Sequence, residues 1–169
     1  MKFVTCRHGN RTTWGAVTQD GEGVVDLGRR LPDITDLTSA LETGSLDKAR
    51  DAASWAEADF ALSEVVFQRT IPRPKKIFCI GVNYGGRNTE YADSSSTTKP
   101  SVFVRFPESL TGHEQGLLRP PESEQLDYEG EIVAVIGRRG RRIAQEDARE
   151  HIAGLTLGNE GTIRDWLRH

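Results

Sequence analysis

One stretch limits the folds open to this chain: Asp127-Tyr128-Glu129-Gly130-Glu131-Ile132-Val133-Ala134-Val135-Ile136-Gly137. From Ile132 to Gly137 every residue is apolar or glycine, which reads as a buried strand. Its entrance carries Asp127, Glu129 and Glu131. Alternate residues of a strand share a face, so Glu129 and Glu131 project side by side with Cα atoms about 6.8 Å apart. Two carboxylates at about 6.5 Å, in an effective dielectric near 20, repel by roughly 2.5 kcal/mol. Burial adds a desolvation cost for each charge. A shared cation would offset both. A solvent-facing strand edge is the plainer reading of such a pair. Against it, Val133 and Val135 continue the face of the glutamates while Tyr128, Ile132 and Ile136 fill the other, so both faces are apolar. Gly130 between the glutamates admits another group at close range. Glu160, between Asn159 and Gly161, is a further acid at a strand end, and spacing alone reads it as a turn or first-turn charge. Three carboxylates without clustered His or Cys suit Mg²⁺, Mn²⁺ or Ca²⁺ rather than structural zinc.

Composition narrows the partners. The formal net charge of −3 leaves no electrostatic footprint for nucleic acid or an anionic membrane. No apolar run approaches the roughly 20 residues that span a bilayer. The opening Met-Lys-Phe-Val-Thr-Cys-Arg-His lacks a signal-peptide core. Cys6 and Cys79 have no metal-ligand or redox spacing, so buried thiols in a reducing cytoplasm are expected.

The rest of the chain reads as a small β-meander (2–6, 14–18, 23–27), then a helix capped by Asp33 or Thr35 and ending near Leu41. A second helix, 45–53, has Ser45 as its cap. Phe60–Leu62 and Val65–Phe67 are short strands. Pro72-Arg73-Pro74-Lys75-Lys76 cannot be helical and marks a domain boundary. Strands follow at 77–80 and 101–106, separated by a polar loop, 93–99, that is either a lid or a solvated connection. Arg138-Arg139-Gly140-Arg141-Arg142 reads as a solvated hairpin turn, with a phosphate-binding module the weaker alternative. A helix over 145–153, with Ala148 and Ile152 inward and Gly154 as its C-cap, precedes a strand at 155–158. A further helix starts at Thr162.

Four blocks together resemble a known family. They are Ile77-Phe-Cys-Ile-Gly-Val-Asn-Tyr, Pro100-Ser-Val-Phe, Ser123-Glu-Gln-Leu-Asp-Tyr-Glu-Gly-Glu-Ile-Val-Ala-Val-Ile-Gly, and Ala153-Gly-Leu-Thr-Leu-Gly-Asn-Glu with Arg164-Asp165. In this order they resemble the fumarylacetoacetate hydrolase family over about residues 72–169. The resemblance implies a mostly β fold with some α: a mixed β-sandwich or β-roll domain, incomplete here, from residue 72, preceded by a small α+β domain over 1–71. It implies Mg²⁺ or Mn²⁺, with Ca²⁺ as a substitute, held by Glu129, Glu131 and Glu160. The family's third ligand is usually aspartate, so Glu160 is one methylene longer. Arg164 falls on a substrate-carboxylate contact, or pairs with a structural acid such as Asp165. Tyr84 falls on the substrate side. Arg87 and Glu90 occupy the positions of a catalytic histidine–glutamate pair. Arginine stays protonated and cannot serve as general base, which leaves Glu90 as the proton carrier.

The implied function is a metal-dependent enzyme on a 2-oxo or 2,4-dioxo acid, by C–C hydrolysis or by hydratase, isomerase or lyase chemistry through an enolate. The alternative is a non-catalytic scaffold that keeps the metal site. The expected partner is a small keto acid, with no nucleic acid or membrane. A cytoplasmic homodimer, and a chain that continues past His169 in its relatives, complete the expectation.

Overall fold

A computed structural model of the chain describes residues 1–81 and 100–167. The chain separates into two compact units. One is Met1–Pro72 with the described residues from Thr111 onward, and the other comprises the described residues of Arg73–Leu110.

In the first unit, β1 (Lys2–His8), β2 (Arg11–Val17), β3 (Gly23–Asp26), β4 (Phe60–Ala61) and β5 (Val65–Phe67) form one antiparallel sheet in the order β4-β3-β2-β1-β5. The expected meander is present, and β2 begins three residues earlier than its apolar pattern indicates. Gly21 turns the chain between β2 and β3 at φ +82°, a conformation that favours glycine. Three helices cover the sheet: α1 (Leu27–Arg30), α2 (Leu37–Glu42) and α3 (Leu46–Ala53). The cap of α2 is Asp36, whose carboxylate accepts from the Ser39 amide at 2.9 Å, rather than Asp33 or Thr35. Ser45 precedes α3 but makes no side-chain cap bond; its hydroxyl lies 2.7 Å from that of Thr43.

The core of the described residues is here: Trp14, Ala16, Val25, Leu27, Leu31, Ile34, Leu37, Ala40, Ala49 and Ala53. The indole N–H of Trp14 donates to the Ile34 carbonyl at 3.0 Å, which satisfies the one polar atom of a fully buried ring. Gly15 stands opposite Asp26 in the ladder. A Cβ there would lie 2.3 Å from the Val25 carbonyl oxygen and 2.8 Å from Val24 Cγ1. Gly15→Ala is therefore expected to destabilise by about 1–3 kcal/mol, seen as a lower urea midpoint with an unchanged slope.

Beyond residue 111 the first unit carries an antiparallel ribbon. Strands β8 (Leu126–Asp127) and β11 (Thr162–Ile163) pair at one end, and β9 (Gly130–Ile136) and β10 (Ile152–Asn159) at the other. The Gln115 side chain donates to the Phe67 carbonyl at 2.6 Å, tying the segment ahead of the ribbon to β5. In the second unit, β6 (Ile77–Gly81) pairs with β7 (Ser101–Arg105).

Several expectations are corrected. Residues 145–151 form a 3₁₀ segment, not an α-helix, and β10 starts at Ile152. The apolar stretch from Ile152 pairs with β9 in preference to continuing a helix. Ala148 and Ile152 are consequently exposed, and Gly154 lies in the strand beside a register shift rather than capping a helix. At Thr162 a two-residue strand and a 3₁₀ turn, Arg164–Trp166, replace the expected helix. β9 is not buried: among the described residues it pairs with β10 alone, which leaves Ile132, Val133 and Ile136 open. Cys6 is buried, where loss of hydration raises its thiol pKa, but Cys79 is only half-buried; no disulfide joins them. The basic turn is exposed, as read, with Arg138 paired to Glu150 at 3.1 Å. The loop 93–99 lies outside the described residues. Among the described residues no helix is long and apolar enough to cross a membrane.

Candidate metal centre

Besides the register shift at Gly154, the ribbon's hydrogen-bond ladder breaks between its two strand pairs, and this break falls on the acidic residues. The last pairs of β9 with β10 are Glu131 opposite Gly158 and Gly130 opposite Asn159. The first pairs of β8 with β11 are Asp127 opposite Thr162 and Leu126 opposite Ile163. Tyr128 and Glu129 on one strand, and Glu160 and Gly161 on the other, belong to neither. The joint is still bonded. The Glu129 amide donates to the Asn159 side-chain oxygen at 3.0 Å, and the Glu129 carbonyl accepts from the Glu160 amide at 2.8 Å. A side chain thus stands in for one missing ladder bond, and the backbones of Glu129 and Glu160 meet across the break.

Burial along the ribbon is inverted. Glu129, Glu131 and Glu160 are each half-buried, while Tyr128, Ile132, Leu155 and Leu157 are well exposed, Leu157 to 83%. Ordinary strands place these residue types the other way round. Gly130 has no described atom within 4 Å of where a Cβ would stand, so the close approach expected there is absent among the described residues. Gly161, in contrast, is packed: a Cβ would come within 3.0 Å of Leu117.

Arg164 is brought to the same joint. Its amide donates to the Gln125 carbonyl at 3.0 Å, which sets the residue just beyond β11. Its Nε donates to Asp127 at 2.9 Å, and its Nη1 lies 3.0 Å from Glu129 Oε1. The guanidinium, followed by the Tyr128 amide, holds the Asp127 carboxyl below the usual carboxylate range. Asp165 takes a different partner: Ser123, buried, donates to it at 2.6 Å. Ser123 also accepts the Gln125 amide at 3.0 Å, so it braces the turn into β8.

The geometry brings Glu129, Glu160 and Arg164 to one break in the ribbon, with Glu131 on the adjoining strand. Among the described residues no group of three or more His, Cys, Asp or Glu side chains is placed to hold a metal ion. Two of the four carboxylates at the joint, those of Asp127 and Glu129, are turned to Arg164 instead. By donor chemistry the set fits a hard divalent cation, since every side-chain donor is a carboxylate oxygen. Tyr84, Arg87 and Glu90 lie outside the described residues. Asp127 and Asn159 were not singled out as working residues from sequence. The signal for Asn159 was its place beside Glu160 at a strand end, where an Asx side chain readily replaces a backbone acceptor.

The sequence model of the family described as fumarylacetoacetate (FAA) hydrolase, C-terminal, matches residues 76–169. The chain belongs to the fumarylacetoacetate hydrolase family. Oxaloacetate tautomerase YisK of Bacillus subtilis is 36% identical over 187 aligned positions, covering 98% of this chain and 61% of the relative. Mitochondrial oxaloacetate tautomerase FAHD2A of Homo sapiens is 34% identical over 155 positions, covering 90% of this chain and 49% of the relative. The chain thus spans about half the length of most of these curated relatives. Among solved structures, a fumarylacetoacetate hydrolase from Exiguobacterium antarcticum superposes with a TM-score of 0.74 at 26% identity, covering 98% of this chain and 57% of that one. A maleylpyruvate hydrolase from Sphingobium sp. SYK-6, in complex with manganese(II) and pyruvate, gives a TM-score of 0.74 at 21% identity, covering 97% and 60%. The fold is the family's: mostly β, with the α-helices of the described residues in the N-terminal part.

Proposed function

We propose that this chain supplies the cation-holding part of an enzyme acting on a 2-oxo or 2,4-dioxo carboxylic acid. The observation that carries this reading is the break in the ribbon, where Glu129 is fixed against Asn159 and Glu160 with Glu131 two residues on. Residues 72–169 are then the first portion of the catalytic domain, after a smaller domain over 1–71. Glu129, Glu131 and Glu160 hold Mg²⁺ or Mn²⁺, with Ca²⁺ as a substitute. The relatives named as oxaloacetate tautomerases support a keto-acid substrate, and the manganese and pyruvate of the maleylpyruvate hydrolase support the metal.

A cation bound there supplies Lewis-acid stabilisation of an enolate oxygen. The residues of the chain do the rest. Arg164 orients a substrate carboxylate through its planar fork. On this reading Tyr84 belongs to the substrate side and Glu90 is the carrier of the proton at the carbon next to the carbonyl, since Arg87, which stays protonated, cannot take that role. With arginine where a water-activating histidine would stand, proton transfer between keto and enol forms is the chemistry this set performs best. Hydration or lyase reactions use the same enolate, and the working unit is a homodimer.

The test is direct. Ultraviolet absorbance follows ketonisation of enol-oxaloacetate, with acylpyruvates assayed alongside. Acceleration over buffer that depends on added Mn²⁺ and disappears with EDTA is expected. No acceleration on any of these substrates, with metal present, leaves a scaffold and ends the enzyme reading.

A further inference from the structure

We propose that Arg164 is the internal counter-ion of this site: it holds Glu129 until a divalent cation displaces it, and Asp127 then retains the guanidinium beside the ion. The inference rests on reading Glu129, Glu131 and Glu160 as the ligands.

The fork of Arg164 is split between two carboxylates, Nη1 at 3.0 Å from Glu129 and Nε at 2.9 Å from Asp127. The two acids differ in exposure. The Glu129 side chain is 23% exposed and that of Asp127 48%. The pair with Glu129 is therefore the less screened of the two, and without a cation it offsets the repulsion that Glu129 meets from its neighbouring carboxylates.

A metal and a guanidinium compete for this oxygen in two ways. They draw on the same lone pairs, and as two positive centres around one carboxylate they repel each other. The backbone has little freedom to relieve the conflict. Glu129 is bonded at both its amide and its carbonyl across the break, and the Arg164 amide is bonded to Gln125. The exchange must then occur by rotation of side chains. Asp127 stands outside the proposed ligand set, so its bond to Nε survives the exchange. The Nη1 edge released from Glu129 would then be available to an anionic ligand.

Isothermal titration of the whole chain with Mn²⁺ tests this on wild type, Arg164→Gln and Glu131→Ala. Removing the competing charge is expected to tighten Mn²⁺ binding about three- to tenfold in Arg164→Gln. Equal or weaker binding in that variant, with binding still lost in Glu131→Ala, overturns the counter-ion role and leaves the ligand reading standing. No binding by wild type removes both. A second measurement reads the wild-type protein rather than the affinity of a variant. The Arg164 Nε–H resonance of the wild-type protein, assigned by its disappearance in Arg164→Lys, is expected to shift on adding Mg²⁺ and to saturate with the binding curve. A resonance that Mg²⁺ leaves unmoved overturns the exchange.

Discussion

Asp26→Ala is expected to lower the unfolding free energy by about 3–5 kcal/mol, measured by urea denaturation at neutral pH. Asp26 is 1% exposed and ends β3. It accepts from the Thr13 hydroxyl at 2.7 Å, from the Arg29 amide at 3.2 Å as the cap of α1, and from the Arg11 guanidinium. Its own amide donates to Asp59 at 2.7 Å, and Arg30 pairs with Asp59 in turn. Alanine leaves a buried hydroxyl and a helix amide without acceptors, and it releases Arg11 from its counter-charge. Asparagine keeps the shape and one acceptor, so Asp26→Asn is expected to cost less, about 1–2 kcal/mol. The two variants also separate by pH. Burial raises the Asp26 pKa, but Arg11, Thr13 and the Arg29 amide together outweigh it and hold the carboxyl below its ordinary value. A folded-state pKa below the unfolded one, about 3.9, gives stability that is present above the unfolded value. That stability is lost as pH falls through the folded one. The gap between wild type and Asp26→Asn is therefore expected to be constant at neutral pH and to narrow below about pH 4. A gap that stays constant into acid would mean that the charge on Asp26 is not what the Arg11 pair stabilises.

Glu131→Ala is expected to weaken Mn²⁺ binding by at least about a hundredfold, in effect to below detection by calorimetry. Loss of a group that merely orients a ligand costs about 10- to 100-fold, and loss of the ligand itself costs no less. Glu131 suits the test because the ladder places Gly158 opposite it, so no cross-strand side chain rearranges into the gap. The resonances and thermal midpoint of the metal-free variant are expected to match wild type, since Glu131 is half-buried on a ribbon whose neighbours are already open. Equal affinities in the two proteins would remove Glu131 from the ligand set.

Much of the N-terminal unit was legible in the sequence. The strands at 2–6, 14–18, 23–27 and 65–67 declare themselves by apolar and β-branched runs between glycine turns. The helix around Leu37 and Leu41 follows from its apolar spacing, though its cap does not. Asp33, Thr35 and Asp36 all have the right chemistry, and only the backbone geometry at Asp36 selects it. The ribbon was harder. Residues 145–153 carry a helical pattern of Ala148 and Ile152, yet Ile152 onward pairs with β9. A pattern nine residues long cannot weigh a local helix against a ladder whose first pair, Ile152 with Ile136, lies 16 residues apart in sequence. The exposure of β9 is not legible in its sequence for a related reason. An all-apolar run implies two covered faces only if the rest of the sheet is at hand, and among the described residues β9 has one neighbour.

The candidate site divides along the same line. That Glu129 and Glu131 share a face is a consequence of strand periodicity, and that carboxylates alone select a hard cation is a consequence of donor chemistry. Both are properties of the sequence by itself, as is the family to which its motifs lead. Which residues meet Glu129 was decided by tertiary structure. Asn159 replacing a ladder bond, Glu160 facing Glu129 across the break, and Arg164 divided between Glu129 and Asp127 all join residues 30 to 37 apart in sequence. Such contacts depend on the register of two strands, and a shift of one residue would turn every one of these side chains to the other face. Register is a property of the pair, so no single segment of the chain contains it.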